Sequence, residues 1–189
     1  MDKITEIQAL TNPKYIKPIK INYRQNGEIK EWEAVISHNS VSTLLYHSSK
    51  KSFVLVKQLR PAVLNATKDD GYMYELCAGI IDKNISDKAI AKEEILEECG
   101  YDVPMDKIEK ITTFYTSVGI SGASQTLYYA QIDESMQVDS GGGIEQEEIE
   151  VIYLPLHKAK EFMFDQSYKK TPGVIAAFYW FFENIAPKI

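Results

Sequence analysis

Only two cysteines, Cys77 and Cys99, occur in 189 residues. They are too few and too far apart for a disulfide framework or a zinc knuckle, and they read as small buried hydrophobes of a reducing compartment. Positive charge is also in deficit, 21 Lys and Arg against 27 Asp and Glu, which leaves a formal charge of −6 with no long basic run. Nucleic-acid binding rests on a basic footprint and is set aside as a partner class. Long apolar runs are missing too. No stretch reaches the roughly 18 uncharged apolar residues of a membrane span, and MDKITEIQAL carries acids where a signal peptide would carry its apolar core. The expectation is a cytoplasmic chain with no membrane partner. The three histidines, His38, His47 and His157, show no metal or triad spacing, and Ser117 and Ser121 lie outside any nucleophile-elbow pattern. A covalent serine mechanism therefore has no support, and water is the expected nucleophile.

What is present suffices for one domain over residues 1–189, with a core that needs no staples. VSTLLYH (41–47) and FVLVKQL (53–59) flank the polar SSKK spacer, so two antiparallel strands are predicted there. Residues 108–116, 126–132 and 149–154 read as further strands. A helix is predicted over 87–99, capped by Ser86 or Asp87 and stopped by Gly100. A second helix falls near 157–164, and a third follows Pro172-Gly173. The last reads VIAAFYWFFENI, apolar on nearly every face, which fits burial in the core or against a second subunit. Strands on both sides of one central helix predict a mixed α/β or α+β layer fold rather than a βαβ repeat. Gly141-Gly142-Gly143 reads as a loop tip.

The chemistry is concentrated on the 87–99 helix. At about 100° per residue, Glu94, Glu97 and Glu98 share one arc of about 100°, and Ala91, Ile95 and Cys99 form the adjoining apolar stripe. Like charges three and four residues apart repel. The pattern is either a solvated acidic surface or a site for a hard cation such as Mg²⁺, which takes oxygen ligands and shares carboxylates with substrate phosphates.

The spacing from Gly79 through Glu94, Ile95, Glu97, Glu98 and Gly100 to Tyr101 resembles the Nudix box, G-x5-E-x7-R-E-U-x-E-E-x-G-U. Two fixed positions depart from it: Ile85 stands where the family has Glu, and Glu93 where it has Arg. Lys92 or Lys88 is the candidate source of the missing positive charge. NYRQNG (22–27), LVKQLRPAV (55–63), YELCAGIID (74–82), EECGY (97–101) and SVGISGASQTLYY (117–129) look like the UDP-sugar pyrophosphatase branch of the Nudix hydrolases over residues 20–186. The resemblance implies a Nudix fold, a mixed β-sheet sandwiched between helices, with the box at 79–101. It also implies a homodimer in which the N-terminal strands, about residues 1–40, exchange between subunits.

By the same resemblance, Glu94, Glu98 and the Ala78 carbonyl hold Mg²⁺, for which Mn²⁺ can substitute. Glu97 serves a second ion or an outer position. The general base comes from the loop around GGGIEQEEIEV, first Glu145 and then Glu147, which together with Glu97 make up the expected catalytic set, the glycines giving the loop freedom to close. Arg60 fits a fork on a substrate phosphate or a surface ion pair. Arg24 is a second substrate candidate, in reach from the other subunit. Trp32 fits base stacking or a place in the core. The activity implied is hydrolysis of a UDP-sugar, UDP-glucose first, to UMP and a sugar 1-phosphate. ADP-ribose hydrolysis is the alternative, disfavoured because Ser117-Val118-Gly119 stands where those relatives carry Pro. A binding module that has lost catalysis is the other alternative, motivated by Ile85 and Glu93.

Overall fold

The computed structural model describes residues 2–144 and 147–188. Strands β1 (Lys17–Gln25) and β2 (Glu28–Ile36) form a separate antiparallel ribbon. Asn26 and Gly27 both take positive φ, 54° and 84°, as a two-residue hairpin turn demands. The main sheet begins with β3 (Ser40–His47) and β4 (Ser52–Leu59), paired antiparallel from Leu45↔Val54 to His47↔Ser52. Beyond that short shared stretch the two strands part, and a third segment enters the fork. Its first half, β5 (Tyr72–Glu75), pairs with β4, and its second half, β6 (Cys77–Ile80), pairs with β3. Leu76, buried, is the crossing point.

The sheet is completed by β7 (Glu109–Tyr115), β8 (Ser124–Ile132) and β9 (Ile149–Pro155). β8 runs parallel to β3, β7 lies antiparallel beyond it, and β9 covers the other side of β4. β3 and β4 are buried on both faces, which is why they read as continuous apolar runs rather than as an alternation.

Helices cover both faces, as the sandwich expectation requires. On one face lies α2 (Asp87–Cys99), whose Ile90, Ala91, Ile95 and Cys99 are at most 1% exposed and pack on Val41, Leu45, Val54 and Val56. Its predicted ends hold. The Ser86 hydroxyl accepts from the Ala89 N–H, and Gly100 closes the helix in a left-handed turn at φ 76°. On the other face lie α3 (Ala159–Phe164) and α4 (Pro172–Asn184). Val174, Ala177, Phe178 and Phe181 of α4 are buried, and Phe178 stacks on Phe53 at 4.2 Å between ring centroids. Core packing thus accounts for the apolar face of α4. One helix had no counterpart in the sequence reading: α1 (Pro61–Thr67), seven residues with Leu64 as its buried residue. No helix among the described residues is long and apolar enough to cross a membrane.

Candidate active site

The fork in the sheet builds the site. Because β5 and β6 are one extended segment that changes partners at Leu76, Glu75 and Ala78 lie along a single strand on opposite sides of the crossing. From Ala78 the backbone N–H donates to Glu98 Oε2 at 2.9 Å. Gly79 leaves room for the next carboxylate. A β-carbon there would sit 1.9 Å from Glu94 Oε1 and 2.1 Å from Glu94 Cδ, so only a bare α-carbon lets Glu94 lie against the strand. The glycine that opens the box and the first carboxylate of its helix are thus mutually required.

Glu98 is 5% exposed. Burial pushes its carboxyl up to about 8, with Glu94 and Glu147 adding to the rise while the Ala78 N–H and the Cys77 thiol oppose it. Burial likewise pushes Glu94 up to about 7, and the neighbouring charges of Glu97 and Glu147 act in the same direction. Several acids whose ionisation is opposed by burial and by one another form a donor set that a divalent cation would complete. Among the described residues no three His, Cys, Asp or Glu groups converge into a ready-made cage.

Glycine loop and helix end are joined. The Gly142 N–H donates to the Glu98 carbonyl and the Gly143 N–H to the Glu97 carbonyl, each at 3.0 Å, which satisfies two acceptors left free at the end of α2. Gly141, Gly142 and Gly143 all have positive φ. These glycines therefore serve as a docked cap on α2 rather than as the free loop tip expected from the sequence. The docking carries Glu147 to the carboxylates, where its charge acts on Glu94, Glu98 and Arg60. Glu147 Oε2 accepts from the Ile144 N–H at 3.1 Å. Glu145, the first candidate for the base, lies outside the described residues. Glu150 turns to the other face of the sheet and pairs with Lys57 at 3.0 Å.

Arg60 forms a two-toothed pair with Glu75, Nε to Oε1 at 2.8 Å and Nη2 to Oε2 at 2.6 Å. Glu75 is 7% exposed. The Glu75 hydrogen bond raises the Arg60 pKa despite burial, and the charges of Glu98 and Glu147 add to it. The guanidinium is therefore an ion-pair partner and stands beside the box carboxylates, with Nη1 outside the fork. Glu75 escaped the sequence reading; its one signal was an acid placed within a strand of aromatic and apolar residues.

Two expectations change. The charge opposite Glu93 comes from Lys83, at 2.5 Å, not from Lys92 or Lys88; Lys92 is drawn instead to Asp102 at 2.7 Å. Trp32 is not in the core: it is 52% exposed, and its indole N–H donates to the Gly119 carbonyl at 3.0 Å. It ties the β1–β2 ribbon to the 117–121 loop. Arg24 donates to the Gly27 carbonyl at the tip of that ribbon and joins no carboxylate of the site among the described residues.

No protein-family model matches the chain. Curated relatives do. The chain is 38% identical over 201 residues to the uridine diphosphate glucose pyrophosphatase NUDT14 of Bos taurus, covering 92% of this chain and 90% of the relative. The protein of the same name from Mus musculus is 36% identical over 203 residues, covering 93% and 91%. A GDP-mannose pyrophosphatase of Salmonella typhimurium is 39% identical over 142 residues, covering 73% and 72%. With the box in register, its glycine and carboxylates in contact and relatives matched over nearly the full length, the chain belongs to the Nudix hydrolases, among the nucleotide-sugar pyrophosphatases.

Proposed function

We propose that the protein hydrolyses UDP-glucose to UMP and glucose 1-phosphate with Mg²⁺ as cofactor. The observation that carries this reading is the contact set Gly79–Glu94 and Ala78–Glu98 beside the Arg60–Glu75 fork. The base and sugar come from the two relatives named for UDP-glucose, which match more than nine-tenths of the chain.

Glu94, Glu98 and the Ala78 carbonyl would hold the cation, with Glu97 beside them. Bound there, it would offset pyrophosphate charge and lower the pKa of a water molecule. The protein groups do the rest. Arg60, kept in orientation by Glu75, presents its remaining guanidinium edge to a phosphate oxygen. A carboxylate of the 144–148 loop takes the proton of the attacking water as its oxygen bonds to phosphorus and the bridging P–O bond breaks. Glu145 is the first candidate for that base and Glu147 the second, the latter with its charge acting on Glu94 and Glu98. The leaving phosphate departs with the second half of the substrate, giving two monophosphates from one water. Arg24 and Trp32 belong in this reading to the sugar or base end of the substrate, Arg24 from the second subunit of a homodimer. The β1–β2 ribbon, with Ile21, Ile29, Trp32 and Ile36 exposed, is the surface for that pairing. The location assigned is the cytoplasm.

The test is a side-by-side rate measurement on UDP-glucose, GDP-mannose and ADP-ribose with excess Mg²⁺, an EDTA control and product identification. EDTA-sensitive release of UMP from UDP-glucose, faster than turnover of the other two, supports the reading. Preference for GDP-mannose or ADP-ribose keeps the chemistry and overturns the substrate. Binding without turnover of any of the three marks the chain as a nucleotide-sugar binding module.

A further inference from the structure

The charges at one corner of the box are inverted. Position 93, on α2, holds an acid, and its partner Lys83 comes from the loop between β6 and α2, with Lys83 Nζ 2.5 Å from Glu93 Oε2. Lys83 also lies in the field of Glu97 and Glu94. It is thus the loop's cation on the face of α2 that carries the site's carboxylates. Glu93 and Glu97 are one turn apart, so an unpaired Glu93 would add a fourth like charge along that face.

The loop matters because of what it connects. It leaves the strand at Gly79-Ile80, against which the Glu94 carboxylate rests, and it ends at Ser86, which caps α2. The Ile81 N–H donates to the Asn39 carbonyl at 2.8 Å, fixing the strand side. On the helix side, the Lys83–Glu93 pair ties the loop to the second turn of α2. A loop held at both ends keeps strand and helix at the spacing that places Glu94.

We infer that Lys83 and Glu93 form a charge-inverted clamp that fixes the 81–86 loop to α2 and so keeps Glu94 and Glu97 aligned for the reaction. Both are positioning residues. The inference rests on α2 being the catalytic helix. Both side chains are about half exposed, 51% and 43%. Exposed pairs add little to global stability, so the clamp acts on local alignment and leaves the melting temperature almost unchanged.

The experiment is a double-mutant cycle on the full chain: Lys83→Met, Glu93→Gln, both together, and the reversal Lys83→Glu with Glu93→Lys. Two quantities are read, kcat and KM for UDP-glucose, and amide hydrogen exchange over residues 81–87 without substrate. Each single change should lower kcat about three- to tenfold with KM altered less than about twofold, the usual scale for coupled neighbours. Exchange over the loop should quicken in the same proportion. The combined variant should be no worse than either single one, and the reversal should restore both readings. Additive losses, a loss from Lys83→Met alone, or unchanged exchange would overturn the clamp. If the unmodified chain turns over no nucleotide sugar, the proposed function falls, and the exchange cycle still decides the clamp.

Discussion

Replacing Gly79 by Ala separates catalysis from folding. The added methyl group would stand 1.9 Å from Glu94 Oε1, 2.1 Å from Cδ and 2.6 Å from Cγ, and every one of these atoms belongs to the Glu94 side chain. Backbone strain does not enter, because Gly79 is absent from the positive-φ positions. The carboxylate must retreat by about 1.5 Å to regain ordinary contact distance. Forcing a side chain off its preferred rotamer costs about 1 kcal/mol, equivalent to about 2–4 °C in a domain of this size. A displacement of 1 Å in a positioned group costs about 10²-fold in rate. Gly79→Ala should therefore lose about 10²-fold in kcat while melting within a few degrees of the parent, checked by steady-state UMP release and by thermal denaturation. On a Glu94→Ala background the same change should cost nothing further, since the obstructed carboxylate is gone. Full kcat, or a melting temperature lower by more than about 10 °C, would refute the reasoning.

Glu98→Gln keeps size and the Ala78 contact but removes a negative charge from the donor set. Turnover should fall by orders of magnitude with the fold intact by circular dichroism, and a near-normal rate at saturating Mg²⁺ counts against the ligand assignment. Of Glu145→Gln and Glu147→Gln, the one that removes the base should lower kcat more than KM; an unchanged kcat excludes that residue. Phe178→Ala empties the stack on Phe53 and should cost about 3–5 kcal/mol in chemical denaturation. His47 is wholly buried, and burial together with Lys50 lowers its pKa against the pull of Glu134 and Asp133. Its contribution to stability is therefore complete above the ordinary histidine value of about 6.5 and is lost as pH falls below it toward the depressed folded value. The melting temperature of His47→Asn should depend less steeply on pH in that window than that of the parent, and parallel curves would contradict the argument.

The sequence was most legible where one local rule sufficed. Ser86 and Gly100 bracket α2, and the stripe Ala91, Ile95, Cys99 is buried as its spacing required. β3 and β4 announced themselves by β-branched and apolar residues filling two buried faces, and β9 by the same residue types at half-buried positions. What escaped depends on contacts between distant segments. β5 and β6 have four residues each and exist because β3 and β4 part to admit them. α1 is seven residues long with Leu64 as its buried residue, too short to show a helical stripe. Lys83 was passed over for Lys92 because helical spacing gives no sight of a loop folding back on the helix. Trp32 fitted either stacking or core because a strand pattern does not show that its sheet is a separate two-stranded ribbon.

The partner change at Leu76 makes the segment 72–80 a ruler. Glu75, which orients the guanidinium, and Ala78, which meets Glu98, stand three positions apart in extended chain, about 10 Å at the usual rise per residue. Adding or removing one residue there would turn Glu75 to the opposite face of the sheet and change the spacing at the same stroke. Length is therefore frozen in this segment, whereas the Asn26-Gly27 turn of the ribbon touches neither end of the ruler. Among homologous chains, insertions belong at that turn and never between Glu75 and Ala78.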